Sequence, residues 1–268
     1  MVSNFNLYDD PELYDSVCAP DHFFKIAVDY WFKTCLGYDP TSLLDPACGS
    51  GWWLAHSQSA DVFGGDISEI MVKYALSRLG SRQARIRVSD MTCLMPFRRL
   101  NIQAAINIGM SALHLAGPTL IEQHLVAVHD CLVKDGIYIV DFLVANKFTE
   151  NSRRANSVHV SSGKTDSGRV WTCCHTSCKL EGMLEDPTEM MRVNNWSSKY
   201  EITVAHNDKI SKINQVYEYY NVYCEWLTEA FAKSGFAIEA ALSADILGFP
   251  SVDPILADGH IIYICRAI

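Results

Sequence analysis

SLLDPACGSGWWL, residues 42–54, decides how the rest of the chain is read. Leu43 and Leu44 form a short apolar run leading into Asp45. Gly49-Ser50-Gly51 follows, and then residues that can start a helix. A strand that turns tightly into a helix through Gly-x-Gly presents backbone N–H groups and a helix N-terminus to a ligand. Without a Cβ in the way, the backbone can approach that ligand closely. Seventeen residues after Gly49, DVFGGD ends a second expected strand at Asp66. That is where doubly wound folds place a carboxylate for a ribose diol. The dinucleotide fingerprint asks for a third glycine at position 54, and the chain has Leu54 there, which argues against a nicotinamide or flavin site.

Outward from this stretch, strands and helices alternate. Strands are expected at 42–46, 61–66, 84–90, 101–109 and 137–142, with helices after Gly51, over 68–80 and over 120–132. Ser68 is the expected N-cap and Gly80 the C-terminal stop of the second helix. Upstream, residues 22–36 are apolar at helical spacing and should pack on the sheet, ended by Gly37 and Pro40. Such alternation implies a doubly wound α/β fold, with a mostly parallel sheet covered by helices on both faces.

From 147 to 216 the rhythm breaks into polar-interrupted strand patterns, read as an antiparallel insertion with a hairpin turn at His206-Asn207-Asp208. The division expected is a core of 1–146 plus 217–268 and a β-rich cover of 147–216. A helix over 224–234 and strands over 236–244 and 260–268 finish the chain. Asp253-Pro254 and Asp258-Gly259 favour a turn between the last two strands, and so an antiparallel hairpin.

The 268 residues are 49% hydrophobic and 20% charged, enough apolar material for a sizeable core. A net charge of −9 lacks the basic face of a nucleic-acid binder, and no apolar run is long enough for a membrane span. The start, MVSNFNLYDD, does not read as a signal peptide, so the ten cysteines read as reduced thiols in a cytoplasmic protein. Cys173, Cys174, His175 and Cys178 have metal-binding chemistry. No second CxxC completes a tetrahedral site, and adjacent strand residues face opposite ways, so no metal is expected. The composition sets no oligomeric state.

With these residues placed, the chain resembles the class I S-adenosylmethionine-dependent methyltransferases of small-molecule type, whose seven-stranded Rossmann-like sheet ends in an antiparallel hairpin. DPACGSG (45–51) looks like that family's first motif, with Ala47 where glycine is commoner. GGDIS (64–68) looks like the second motif, VSDMTCLMPF (88–97) the third, and NIGMSALHL (107–115) the segment after strand four. Adenine-specific DNA methyltransferases share the first motif but carry a proline-containing one after strand four, where this chain reads Asn107-Ile108-Gly109-Met110.

The resemblance implies S-adenosylmethionine as cofactor and a small-molecule substrate. Asp45 would hold the loop or meet the cofactor's ammonium group, and Ala47, Gly49 and Gly51 would flank its methionine portion. Asp66 would take the ribose hydroxyls and Ile67 would cover the adenine. Asp90 would accept from the adenine amino group, with Met91 on the ring and Asn107 near the sulfonium. Tyr14 is a candidate for the methionine carboxylate. His114 is the first candidate for a catalytic base, since neutral imidazole titrates near working pH. Trp171, Trp196, Tyr219, Tyr220 and Tyr223 could wall a substrate pocket or form the insertion's own core. Two other classes stay open: a cofactor-binding regulator without methyl transfer, and a nucleotide-dependent oxidoreductase.

Overall fold

The computed structural model describes residues 6–20, 22–80, 84–146, 157–179, 191–207, 209–244 and 248–268. Helices α1 (Pro11–Cys18) and α2 (His22–Leu36) precede β1 (Ser42–Asp45), α3 (Trp52–His56), β2 (Asp61–Asp66), α4 (Glu69–Leu79), β3 (Ala84–Val88), β4 (Ile102–Asn107), α5 (Pro118–His129) and β5 (Leu132–Ala145). The insertion supplies β6 (Ser157–Lys164), β7 (Val170–Lys179), β8 (Met191–His206) and β9 (Lys209–Tyr223). The chain closes with α6 (Cys224–Lys233), β10 (Phe236–Ser243) and β11 (Gly259–Ala267). The ends of α4 show why the expectation there was close. The Ser68 hydroxyl accepts the Met71 N–H, and Gly80 stops the helix at φ +57.

The parallel strands lie in the order β3-β2-β1-β4-β5. Strand β11 then pairs antiparallel with β5, and β10 antiparallel with β11. This is the doubly wound, mostly parallel sheet with a C-terminal hairpin that the sequence implied. Both faces of the sheet are apolar, as a sheet covered on both sides requires. Ile137 and Ile139 of β5 point to one face, into a core with Phe32 of α2, Leu54 of α3 and Ala75 of α4. Tyr138, Val140 and Phe142 alternate to the other, against Leu125 of α5 and Phe231 of α6. Strand β5 is longer than the expected 137–142, because Asp135 at φ +63 carries the chain through Lys134-Asp135-Gly136 without ending the strand.

The insertion strands are antiparallel in the order β9-β8-β7-β6, and they continue the same sheet. Strand β9 joins β5 through Val144↔Val222 and Ala145↔Tyr223, and it runs through the expected boundary at 216/217 without a break. The inner face of the insertion does not pack on itself alone. Trp171, Cys173, Ile202, Val204 and Ile213 bury against Leu7 and Leu13 from the N-terminal segment. Among the described residues no helix is long and apolar enough to cross a membrane.

Candidate active site

At the C-terminal end of β1 the Gly-rich loop is held by its own neighbours. The Cys48 N–H donates to the Gly65 carbonyl, the Gly49 N–H to Asp66 Oδ2 at 2.8 Å, and the Gly51 N–H to the Cys48 carbonyl. Three N–H groups expected to face a ligand are thus spent on fixing the loop. Gly49 and Gly51 have φ of +50 and +78, and a Cβ on Gly51 would lie 2.9 Å from Ala75 Cβ, so this turn closes onto α4 only with glycine.

Asp45 is fully buried and accepts the Ala47 N–H at 3.1 Å. Burial pushes its carboxyl up to about 8; the Ala47 N–H works against that shift, and the negative charge of Asp66 adds to it. Asp66 accepts the Ser68 N–H on its other oxygen at 2.8 Å. A carboxylate offers about four acceptor positions, so both oxygens keep capacity for hydroxyl donors. Burial raises its pKa as well, opposed by the Ser68 and Gly49 N–H groups.

Ile67 follows Asp66 and is 77% exposed. Asp90, exposed beyond β3, uses Oδ1 to accept the Thr92 N–H and hydroxyl at 2.8 and 2.7 Å. Oδ2 takes no part in that turn. Met91 is fixed from below by a buried network. His124 Nδ1 lies 2.9 Å from the Met91 carbonyl and Nε2 lies 2.7 Å from the Tyr138 hydroxyl. A carbonyl only accepts, so Nδ1 carries the proton and Nε2 accepts from tyrosine. Burial holds the His124 pKa down at about 4, which keeps this neutral tautomer. Asn107 adjoins the network, 2% exposed, and its Oδ1 has no hydrogen-bond partner among the described residues.

Tyr14, Asp45, Ala47, Gly49 and His114 line one cavity of about 490 Å³. Strands β7, β8 and β9 wall it with Trp171, Tyr200 and Tyr217. His114 approaches the Tyr8 hydroxyl at 3.4 Å and packs edge-on to the Tyr217 ring, and burial lowers its pKa. Tyr14 lies against the Gly-rich loop, within 3.7 Å of where a Gly49 Cβ would stand. Its helix is tied down by Asp15, which accepts from the Ser50 hydroxyl and pairs with Arg78 of α4.

Tyr223 is corrected. It is 8% exposed and belongs to the core under α6, because β9 ends there against β5 and turns its last side chains into that core. The side chains of Trp196, Tyr219 and Tyr220 lie outside the described ones. Cys173 and His175 face the cavity, and alternation along β7 turns Cys174 and Cys178 the other way. Among the described residues no three His, Cys, Asp or Glu side chains gather as a metal site.

Sequence reasoning missed Tyr8, Asp141 and His260, which also line the cavity. Asp141 is a lone carboxylate in the apolar run IYIVDF, a signal that a buried acid has a task. Its Oδ2 accepts the Gly109 N–H at 3.0 Å, both oxygens lie 3.1 Å from the Met110 N, and His260 Nε2 stands 2.9 Å from Oδ2.

Residues 44–140 match the family model described as a methyltransferase domain. A sequence search of the curated proteins finds no match. Solved structures with the same fold include CalS10, an amino pentose methyltransferase from Micromonospora echinaspora, at 16% identity and TM-score 0.70 over 98% of both chains. DesVI from Streptomyces venezuelae is 20% identical over 89% of both chains, with TM-score 0.66. The sugar N-methyltransferase KedS8 from Streptoalloteichus is 19% identical with TM-score 0.65, over 90% of this chain and 85% of that one. At these identities the likeness is one of fold: residues 44–140 carry a methyltransferase domain, on the fold of the class I S-adenosylmethionine-dependent methyltransferases.

Proposed function

We propose that the protein transfers the methyl group to a small-molecule acceptor bearing an amine, bound in the cavity between the Gly-rich loop and the insertion. The observation that carries this reading is the cavity's lining. Asp141 faces it with no lysine or arginine among the described lining residues, while Asp15 there is paired with Arg78 and Asp45 is protonated until an ammonium lies beside it. Tyr8, Tyr14, Trp171 and Tyr217 add aromatic faces, which favour a cation. CalS10, an amino pentose methyltransferase, and KedS8, a sugar N-methyltransferase, support the same class.

The residues present fit the cofactor. Asn107 Oδ1 is a buried acceptor waiting for a donor, Asp66 keeps capacity for two hydroxyls, and Ile67 offers an apolar face to a flat ring. When bound, S-adenosylmethionine supplies a methyl carbon already activated by a sulfonium leaving group. Asp45 meets its ammonium, Asp66 holds the ribose, and Asp90 and Met91 define the adenine side. Tyr14 and the loop of Ala47, Gly49 and Gly51 border its methionine portion. The insertion, 147–216, acts as the substrate cover that excludes water and fixes the acceptor in line, and positioning of this kind carries much of the rate. His114, with Tyr8 and Tyr217, contacts the acceptor and is one of four histidines that line the cavity.

S-adenosylhomocysteine at about 100 times its Kd should stabilise the fold by about 2.7 kcal/mol and raise Tm accordingly. Incubation with methyl-labelled cofactor and a panel of aliphatic and sugar amines should yield labelled product. Thermal stabilisation without transfer to any amine, alcohol or thiol would instead favour a regulatory cofactor-binding protein.

A further inference from the structure

We propose that His124 is a positioning residue that fixes which base the cofactor site accepts, by holding Met91 and the Asn107 amide in one arrangement. The inference rests on the reading that the cofactor's adenine lies on the Asp90–Met91 side of the site. No family motif in the sequence includes this histidine, which stands in the body of α5.

One fully buried ring joins the helix to two strands and a loop. His124 Nδ1 lies 2.9 Å from the Met91 carbonyl, in the segment after β3. Nε2 lies 2.7 Å from the hydroxyl of Tyr138 on β5, and 3.5 Å from Nδ2 of Asn107, the last residue of β4. The carbonyl fixes the proton on Nδ1 and leaves Nε2 with a lone pair. That lone pair selects donors. Tyr138 turns its O–H to it. Asn107 presents its amide nitrogen, because its oxygen in that place would face the lone pair. The Asn107 oxygen is left buried with no partner among the described residues. One tautomer thus sets a backbone carbonyl and an amide orientation together, and burial keeps the ring in that neutral form.

The consequence falls on Asp90, one residue before Met91. Its Oδ1 is occupied by the Thr92 N–H and hydroxyl, and its carbonyl accepts the Cys93 and Leu94 N–H groups. Oδ2 stays outside this turn. A carboxylate oxygen only accepts, so it separates a purine amine, which donates, from a purine carbonyl at the same ring position, which repels it. Such selection needs the carboxylate held to within about 0.5 Å. The turn through Thr92 to Leu94 fixes the segment on one side. The Met91 carbonyl on His124 anchors it to the core on the other, where the Met91 side chain also packs.

The test measures, in the full chain, the Kd of S-inosylhomocysteine divided by that of S-adenosylhomocysteine. The two ligands differ in a ring carbonyl in place of the ring amine. Wild type should prefer the adenine form by about 10–100-fold, the worth of a hydrogen bond to a charged group. His124→Gln keeps an acceptor near the Nε2 position but loses the donor to Met91, and its ratio should fall below about threefold. His124→Asn keeps a donor near the Nδ1 position, and Tyr138→Phe leaves the Met91 contact alone; both should stay within about threefold of the wild-type ratio. A ratio of two ligands on one folded variant is not moved by lost stability, so a merely structural histidine predicts the same ratio throughout. An unchanged ratio in His124→Gln overturns the proposal. Nitrogen-15 NMR of wild type reads the ring without any variant. It should show His124 protonated at Nδ1, and a proton on Nε2 overturns the proposal whether or not the variants fold. A wild-type ratio near one, with the Nδ1 proton in place, overturns the reading that adenine lies beside Asp90, and the base-selecting role with it.

Discussion

Asp45 shows how one residue can make cofactor binding depend on pH. In the cofactor-free protein its carboxyl is protonated at neutral pH, since burial holds its pKa at about 8 against an ordinary value of 3.8. The folded state then binds more protons than the unfolded one between those values. Its contribution to stability is complete below about 3.8 and is lost as pH rises toward 8. An ammonium group placed beside Asp45 reverses the balance and drives the proton off. Cofactor binding at pH 6–7 should therefore release about one proton, and affinity should strengthen with pH up to about 8, where an α-amino group itself begins to lose its charge. Calorimetry in two buffers of different ionisation enthalpy measures the release directly. Asp45→Asn should bind without it; equal proton release from that variant would place the linkage elsewhere.

At the scale of elements, α1 is the piece whose position was least evident from sequence. Its N-cap Asp10 and its first-turn Glu12 both pair with Arg169 from the turn between β6 and β7, and Glu12 also accepts the Ser167 N–H and hydroxyl. Burial alone would raise the Glu12 pKa, but the Ser167 and Arg169 hydrogen bonds outweigh it and bring it to about 2. With the folded value depressed, the stabilisation is fully present above about 4.5 and is lost as pH falls toward 2. Urea midpoints measured between pH 6 and pH 3 should fall less steeply for Glu12→Gln than for wild type. Parallel curves would show that this contact is screened by solvent and does not couple to folding.

At the scale of the whole molecule, local pattern and long-range register contributed differently to what the sequence revealed. The alternation of β1 through β5 with its helices was readable because apolar spacing is a local property, and DPACGSG fixed where the cofactor end of the sheet must be. The same spacing could not separate cover from core at Tyr223, since a tyrosine after a strand suits a pocket wall as well as the underside of α6. Nor could it bring together Asp141 and His260, which are 119 residues apart and meet only through the β5–β11 register. Asp15, Ser50 and Arg78 likewise come from three separate elements, and only the folded arrangement shows that the N-terminal helix is fastened to the Gly-rich loop.

That fastening bears on the order of events in a catalytic cycle. An eight-residue helix has little stability of its own, so α1 stays across the loop through what it grips: Leu13 in the apolar core with the insertion strands, Asp10 and Glu12 on Arg169, and Asp15 on Ser50 and Arg78. Entry and exit of anything lodged beneath Tyr14 must wait for those grips to loosen. The spent cofactor should then leave slowly, after the methylated acceptor. Arg169→Gln, which frees one end of the strap, should speed dissociation of S-adenosylhomocysteine about tenfold, equivalent to removing about 1.4 kcal/mol from the barrier. Stopped-flow displacement reads that rate. A value unchanged from wild type would mean the spent cofactor has a second way out, one that does not pass under α1.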